Sequence, residues 1–544
     1  MRLGIDVGGT NTDAVLMNGA DVIAWSKSLT TSDVCSGIVA AIDSVLQKTK
    51  LTASVVECVM IGTTQFTNAL VERKGLKQVG VIRLGSPSGQ AIPAMSDWPD
   101  DLRACIGSGV YSFAGGYEFD GREMSILDED GIRKAAQVLS TRGITAFAVT
   151  GVFSPVKMDM ESRAVEILRE EMPDAHITAS NNVGRIGFLE RESAAILNAT
   201  LSDIAAEVIH SFEAALRTLN ITAPLYISQN DGTLISAQEA VHFPVMTIGS
   251  GPTNSMRGAA FLTGISDAIV IDVGGTTSDV GVLTNGFPRE SSVSVDIGGV
   301  RTNFRMPDTL AIGLGGGTQI YLSEEQFGAL QVDGLQFDVG PKSVGYRLSE
   351  AAYIFGGTTL TATDIAVASG RVTMGNALFI PPLSQPVQDA ILARFKTMLE
   401  TAVDRMKTIA GDACVIVVGG GGFLVPDNLK GASRVLRPEY SHVANAVGAA
   451  IAQVGAQVEQ VFSYDKISRD VALNQIKQQA RDQVIALGGE AQSVQFTNVE
   501  EIFLSYLPGR AAQLRVKAVA DLKGTRKNRT MDTVQPTPSQ HHVA

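Results

Sequence analysis

One eight-residue pattern is used twice in this chain. It reads Asp6-Val7-Gly8-Gly9-Thr10-Asn11-Thr12-Asp13 near the start, and Asp272-Val273-Gly274-Gly275-Thr276-Thr277-Ser278-Asp279 far downstream. Each copy lies between two apolar runs, residues 3–5 and 14–16 for the first, 269–271 and 280–283 for the second. An apolar run, a Gly-Gly turn and a second apolar run predict a hairpin. Glycine lets backbone approach a ligand closely, and successive N–H groups form an anion-binding nest. The Thr hydroxyls can donate to phosphate oxygens, and the terminal Asp residues can hold hydrated Mg²⁺ or orient water. Two such loops facing each other would make a phosphate clamp. No G-x-x-x-x-G-K-S/T loop is present, so a Walker-type site is excluded.

Composition narrows the class. A chain of 544 residues should hold two or more domains. A net charge of −12 argues against nucleic acid as a partner, because phosphate backbones demand clustered Lys and Arg. The four cysteines, Cys35, Cys58, Cys105 and Cys414, have no metal-like spacing and read as free thiols in a reducing compartment. Met1 runs almost directly into the first apolar run, leaving no room for a signal peptide. No apolar run approaches the ~20 residues of a membrane helix. The expectation is a cytoplasmic protein with no membrane partner.

Along the chain, a third strand is expected at 21–26, a helix at 33–48 and a buried strand at 55–61. The last ends in Gly62-Thr63-Thr64, a polar turn before a helix, where α/β folds often contact ligands. Strands at 79–84 and 146–151 with helices at 128–142 and 158–172 predict an α/β insert. One long connecting helix is expected at 194–216. Asp231 ends a further strand, and Asp308 lies in a Gly- and Thr-rich stretch. The run Gly315-Gly316-Gly317 reads either as an anion loop or as a flexible turn. A strand at 413–418 runs into Gly419-Gly420-Gly421-Gly422, where a base and ribose could lie flat against backbone. Helices at 444–454 and 469–487 and strands at 499–507 and 511–519 follow, and a tail from 523 reads as disordered.

The order of two phosphate loops and a Gly-rich adenosine loop resembles the superfamily of actin, the heat-shock chaperone ATPases and the sugar kinases. Within it, the chain resembles the hydantoinase A/oxoprolinase family, through residues 4–13, 62–73, 190–198, 230–236, 250–252, 272–279, 313–318 and 357–364. The resemblance implies an α/β fold: duplicated RNase-H-like, actin-like ATPase subdomains around a central nucleotide cleft, with an α/β insert and a small C-terminal α/β piece. It divides the chain into an N-terminal hydantoinase A/oxoprolinase-like domain at 1–185, a second actin-like ATPase domain at 186–460, the C-terminal piece at 461–522 and the tail at 523–544. ATP and Mg²⁺ are the implied cofactors.

The implied activity is ATP-dependent opening of a cyclic amide (a hydantoin, oxoproline or lactam): phosphorylation of the amide oxygen, then attack by water. A B-type hydrolase subunit would complete the reaction, so a homo- or hetero-oligomer is expected. The implied catalytic carboxylates are Asp6, Asp13, Asp231, Asp272 and Asp308, with Asp364 also lining the cleft and Asp6 and Asp272 holding metal. The cofactor loops are Gly8, Gly9, Thr10, Asn11 and Thr12; Gly274, Gly275, Thr276 and Thr277; Gly315 and Gly316; and Gly419, Gly420 and Gly421. Leu310 stands where the family carries His. A small-molecule kinase of the sugar-kinase type would share the clamp and is the alternative; an ATP-driven switch protein is a third class.

Overall fold

A computed structural model describes residues 1–9, 11–30, 34–107, 109–291, 294–329, 335–504 and 509–523. Thr10 and the predicted disorder beyond residue 523 lie outside the described residues.

Both repeats fold as the hairpins their Gly-Gly turns predict, and each hairpin starts a sheet of the same plan. In the first, strands Arg2–Val7 and Asn11–Asn18 are antiparallel, and Asp21–Leu29 flanks them on the outside. On the other side, Cys58–Thr63 and then Leu225–Ser228 run parallel to the first strand. In the second, Ala268–Val273 and Ser278–Thr284 form the hairpin and Phe287–Pro288 flanks it. Ala413–Val418 and then Ala432–Leu436 run parallel on the far side. The order third, second, first, fourth, fifth thus occurs twice, which is the RNase-H-like arrangement in duplicate. The central strands read as continuous apolar runs because helices cover both faces; all six residues of Arg2–Val7 are buried.

The insert between these strands is a four-stranded parallel sheet, Val110–Phe113, Val79–Leu84, Ala146–Gly151 and His176–Ala179, with helices Glu129–Thr141 and Asp159–Glu171 packed beside it. The long helix expected at 194–216 is two helices, Phe188–Thr200 and Ser202–Thr218. They part at Leu201, whose N–H bonds back to Asn198 in a tightened last turn. The helix expected to reach 454 stops at Ala450, and Gln453–Ser463 is a strand instead. That strand, with Thr233–Ser236, Ala511–Ala520 and Gln495–Phe503, extends the first sheet to nine strands.

The two halves meet through helices Ser250–Thr263 and Ala444–Ala450. Their approach depends on missing side chains: a Cβ on Gly258 would lie 1.9 Å from the Ala444 carbonyl oxygen, and one on Gly448 would lie 1.8 Å from that of Asn254. Among the described residues, no helix is long and apolar enough to cross a membrane.

Candidate active site

The two hairpin turns share one geometry. Asp6 pairs across its ladder with Asp13, and Asp272 with Asp279. Gly8 N donates to Asn11 O at 3.0 Å, and Gly274 N to Thr277 O at 2.9 Å. The N–H groups of Gly9 and Gly275 meet no backbone carbonyl among the described residues, so they are open to an anion. Thr276 and Thr277 are exposed at the second turn. Thr12 is buried instead, 3.3 Å from the Thr30 hydroxyl, which donates to Gly8 O. Thr12 therefore props its loop from beneath.

Register builds a charged row beside the first turn. Asp6 pairs with Asp13, and Asp13 with Lys27 on the third strand. Lys27 Nζ lies 2.8 Å from Asp13 Oδ1. Asn445 closes the row from helix Ala444–Ala450, its Nδ2 donating to Asp6 Oδ2 at 2.9 Å and to Asp13 Oδ2 at 3.1 Å. Burial and then the Asp13 charge raise the Asp6 carboxyl from 3.8 to about 7, with Asn445 and Lys27 opposing and Asp272 adding to the rise. Burial also raises Asp272, against a hydrogen bond from Ser255 and the charge of Lys27, with Asp13 adding to the rise. Burial and then Asp272 raise Asp279 to about 7. Carboxylates of the two hairpins thus act on each other across the cleft. Lys27, Asn445 and Ser255 were not anticipated from the sequence; only strand register and helix docking bring them here.

This donor set fits a hard cation. Asp6 Oδ1 is buried without a hydrogen-bond partner, as are both amide atoms of Asn254. A Cβ on Gly62 would lie 2.3 Å from Asn254 Nδ2 and 2.7 Å from Asp6 Oδ1, so glycine keeps that space clear. Among the described residues no three His, Cys, Asp or Glu side chains form a ready cage for a metal. Mg²⁺ does not need one, since it takes one or two carboxylates and fills its shell with water and phosphate oxygens.

The remaining glycines divide by role. Gly316 N donates to Gly274 O at 3.0 Å and Gly317 N to Gly275 O at 2.6 Å. Gly315 N donates to Thr318 Oγ1 at 2.7 Å, and a Cβ there would meet the Thr276 carbonyl carbon at 2.7 Å. Residues 315–317 therefore buttress the second turn, with their N–H groups already used. Gly419, at φ 86°, lies under Asp272, where a Cβ would come 2.3 Å from Oδ1. Gly421 N is spent on Val273 O at 2.8 Å. Gly420 has open space before it and lines a cavity of about 780 Å³ with Phe423, Arg371, Arg437 and His442. That volume accepts a nucleoside.

Three other carboxylates stand apart from this group. Asp231 lines a second cavity and pairs with Lys517 at 3.0 Å and Arg305 at 3.6 Å. Burial works to raise its carboxyl, but Lys517, Arg305 and a bond from Thr233 outweigh it and hold the group far below its ordinary value. Asp308 pairs with Arg289 at 2.6 Å, at the end of strand Thr309–Ile312 remote from the second turn. Leu310 pairs with Val280 and packs on the second core. Asp364 accepts from Thr361 N and Oγ1 and from Ile354 N, capping helix Ala362–Ala368.

Two RNase-H-like halves, each starting on a Gly-Gly hairpin and meeting through helices Ser250–Thr263 and Ala444–Ala450, with a Gly-rich loop at the side, define the actin-like ATPase fold. The chain belongs to the hydantoinase/oxoprolinase family: the hydantoinase/oxoprolinase N-terminal region matches residues 2–172, and the hydantoinase/oxoprolinase region matches residues 191–382. It is 29% identical over 432 residues to caprolactamase subunit alpha of Pseudomonas jessenii, covering 74% of this chain and 60% of that one. It is 26% identical over 399 residues to the acetophenone carboxylase gamma subunit of Aromatoleum aromaticum, covering 68% of this chain and 53% of that one. The chain thus spans somewhat over half the length of these relatives. The crystal structure of the ATP-dependent caprolactamase from Pseudomonas jessenii superposes with a TM-score of 0.74 at 20% identity, over 96% of this chain and 88% of that one. Nucleotide-free acetone carboxylase superposes with a TM-score of 0.67 at 17% identity, over 97% of this chain and 88% of that one.

Proposed function

We propose that this chain binds ATP with Mg²⁺ between its two hairpins and drives the hydrolytic opening of a cyclic amide, together with a B-type partner subunit. The observation that carries the reading is the carboxylate group Asp6, Asp13 and Asp272 between two turns of one geometry, with Asp6 Oδ1 left unpartnered. Asp6 and Asp272 would hold the cation. The N–H groups of Gly9 and Gly275 would hold phosphate oxygens, and the open face at Gly420 would take the adenosine. Bound ATP would supply the phosphoryl group that makes the amide carbon electrophilic enough for water to attack, after which the ring nitrogen leaves with a proton and phosphate is released by hydrolysis. Lys27 pairs with Asp13 beside the transferring charge, and Asn445 fixes the orientation of both carboxylates by donating to each. Relatives named caprolactamase and 5-oxoprolinase support a cyclic-amide substrate, and the subunit designations of the caprolactamase and acetophenone carboxylase relatives support a partner chain.

The purified chain with its partner should release ADP and phosphate in proportion to ring opening. Asp272→Ala should abolish that turnover while the protein stays folded by circular dichroism. Ring opening that proceeds equally without ATP overturns the proposal, and a stable phosphorylated product found by mass spectrometry would assign the chain to the kinases instead.

A further inference from the structure

The nine-stranded sheet ends on strand Gln495–Phe503. It pairs with Ala511–Ala520 on one side and, among the described residues, with no strand on the other. The outward N–H and C=O groups of such a strand are a template for a further strand. Proteins usually blunt an edge of this kind with proline, lysine or a covering helix. This strand carries neither proline nor lysine. Its bulge, between Phe496 and Asn498, sits near one end and leaves residues 498–503 in unbroken register. Helix Arg469–Ala486 packs on Gln453–Ser463 and Ala511–Ala520, and meets the edge strand through the side chains of Arg469 and Lys477.

The edge strand is apolar and neutral towards solvent. Phe496, Val499, Ile502 and Phe503 are 41%, 43%, 46% and 65% exposed. Phe496, Val499 and Phe503 stand opposite Ala518, Val516 and Ala512, so the three share the helix-side face of the sheet. The two acids of the strand are answered from within the fold, Glu500 by Arg515 at 2.7 Å and Glu501 by Arg469 at 2.6 Å. What remains for a partner is backbone and apolar side chain.

We infer that this edge pairs with the same edge of a second copy of the chain, antiparallel and centred on Val499, so that the sheet continues across a two-fold axis. A two-fold pairing sets each residue opposite one equally far beyond the axis. Centred on Glu500 or Glu501, it would set like charges directly against each other, which destabilises a sheet. Centred on Asn498 it would fall on the bulge, and centred on Ile502 it would set each Glu501 against Phe503. Centred on Val499, it sets valine on valine and Asn498 of each copy opposite Glu500 of the other. Those two side chains match as donor and acceptor: within one strand Asn498 Nδ2 already donates to Glu500 Oε1 at 2.8 Å. The central pairs are then complementary, and the bulge lies outside them. Nine residues at ~3.4 Å each make an edge of about 30 Å, the scale of a reversible interface with a micromolar dissociation constant. The pairing does not depend on the ATP reading.

Sedimentation velocity of the full chain between about 1 and about 100 micromolar should show a monomer–dimer equilibrium. Val499→Lys brings two charges together at the axis and should raise the dimer dissociation constant about tenfold. Val499 is half-exposed in the single chain, so the melting temperature should hold. Val499→Cys tests the register. Side chains directly opposite in an antiparallel pair have Cβ atoms ~5 Å apart, which a disulfide can close with small adjustment. Mild oxidation should therefore link Val499→Cys into a covalent dimer. Phe503→Cys, about 14 Å from the axis, should stay unlinked under the same oxidant. None of the native cysteines lies on this strand, and the native protein sets the background. A chain monomeric at about 100 micromolar, a dimer indifferent to Val499→Lys, or Phe503→Cys linking as readily as Val499→Cys overturns the inference. So does a Val499→Lys variant that keeps the second copy and loses the B-type subunit, since the edge would then belong to that subunit.

Discussion

Asp6→Asn should make the ligand-free protein more stable while disabling it. The carboxyl of Asp6 is raised from its ordinary 3.8 to about 7, first by burial and then by the charge of Asp13. A rise of that size corresponds to about 4 kcal/mol of destabilisation at full development, since each pH unit is worth about 1.4 kcal/mol. The sign follows from which state ionises first. Below pH 3.8 both folded and unfolded chains are protonated at Asp6, and the folded state suffers no loss. Between 3.8 and about 7 the unfolded chain ionises while the folded one does not, so stability falls as pH rises. Above about 7 the loss is complete and constant. Asparagine removes the titration and keeps an oxygen that can accept from Asn445 Nδ2, so the bond now 2.9 Å long can survive. The compensating relaxation of Asp13 and Asp272 reduces the gain, and about 2 kcal/mol is expected at pH 8. The assay is differential scanning calorimetry of both proteins from pH 5 to pH 8 without ligand. The gap should widen up to about pH 7 and then level off. Added Mg²⁺ and ATP should raise the melting temperature of the native protein by mass action and leave the variant unmoved. A variant less stable than the native protein at pH 8, or a gap that ignores pH, would refute the account of Asp6 as a buried carboxylate with one oxygen awaiting a cation.

Gly420→Ala should leave folding unchanged, because nothing lies within 4 Å of the added methyl group. The methyl projects into the nucleoside cavity and should raise the dissociation constant for ATP about tenfold, read by fluorescent-nucleotide displacement. Lys517→Met should destabilise the protein by about 3–5 kcal/mol at neutral pH, because it strips Asp231 of its nearest cation inside the fold. The carboxyl of Asp231 is depressed, so its pairing stabilises above the unfolded value of 3.8 and is lost as pH falls below it; the difference between native and variant melting temperatures should therefore shrink in acid.

What could be read from sequence was local. The two hairpins follow from Gly-Gly turns between apolar runs, and the strand Ala413–Val418 from an apolar run ending in glycines. The expected helix at 194–216 failed because its break at Leu201 comes from tertiary packing: the Asn198 side chain leaves the helix to bond Thr178 and the His242 carbonyl. The helix expected past Ala450 gave way to a strand because Gln453–Ser463 pairs on one edge with Ala511–Ala520 and on the other with Thr233–Ser236. No local signal announces partners that distant. Asp231 shows the same limit in charge. Its Asn-Asp-Gly context resembles a ligand turn, but its nearest cation, Lys517, is 286 residues away in sequence.

The duplication is also less symmetrical than its sequence pattern. Backbone repeats faithfully: the turn bonds differ by 0.1 Å, and both rows begin with two aspartates opposite each other. The third member of each row differs. Beside Asp13 it is Lys27, and beside Asp279 it is Ala311. The first hairpin therefore carries its own counter-charge, and the second carries none in that row. Burial first, and then the charge of Asp272 beside it, raises Asp279 to about 7. A divalent ion held by Asp6 and Asp272, as proposed, would have a lysine in the row on one side and none in the row on the other. The difference between the two rows thus lies in one lateral neighbour on each strand, a position outside the repeated eight residues.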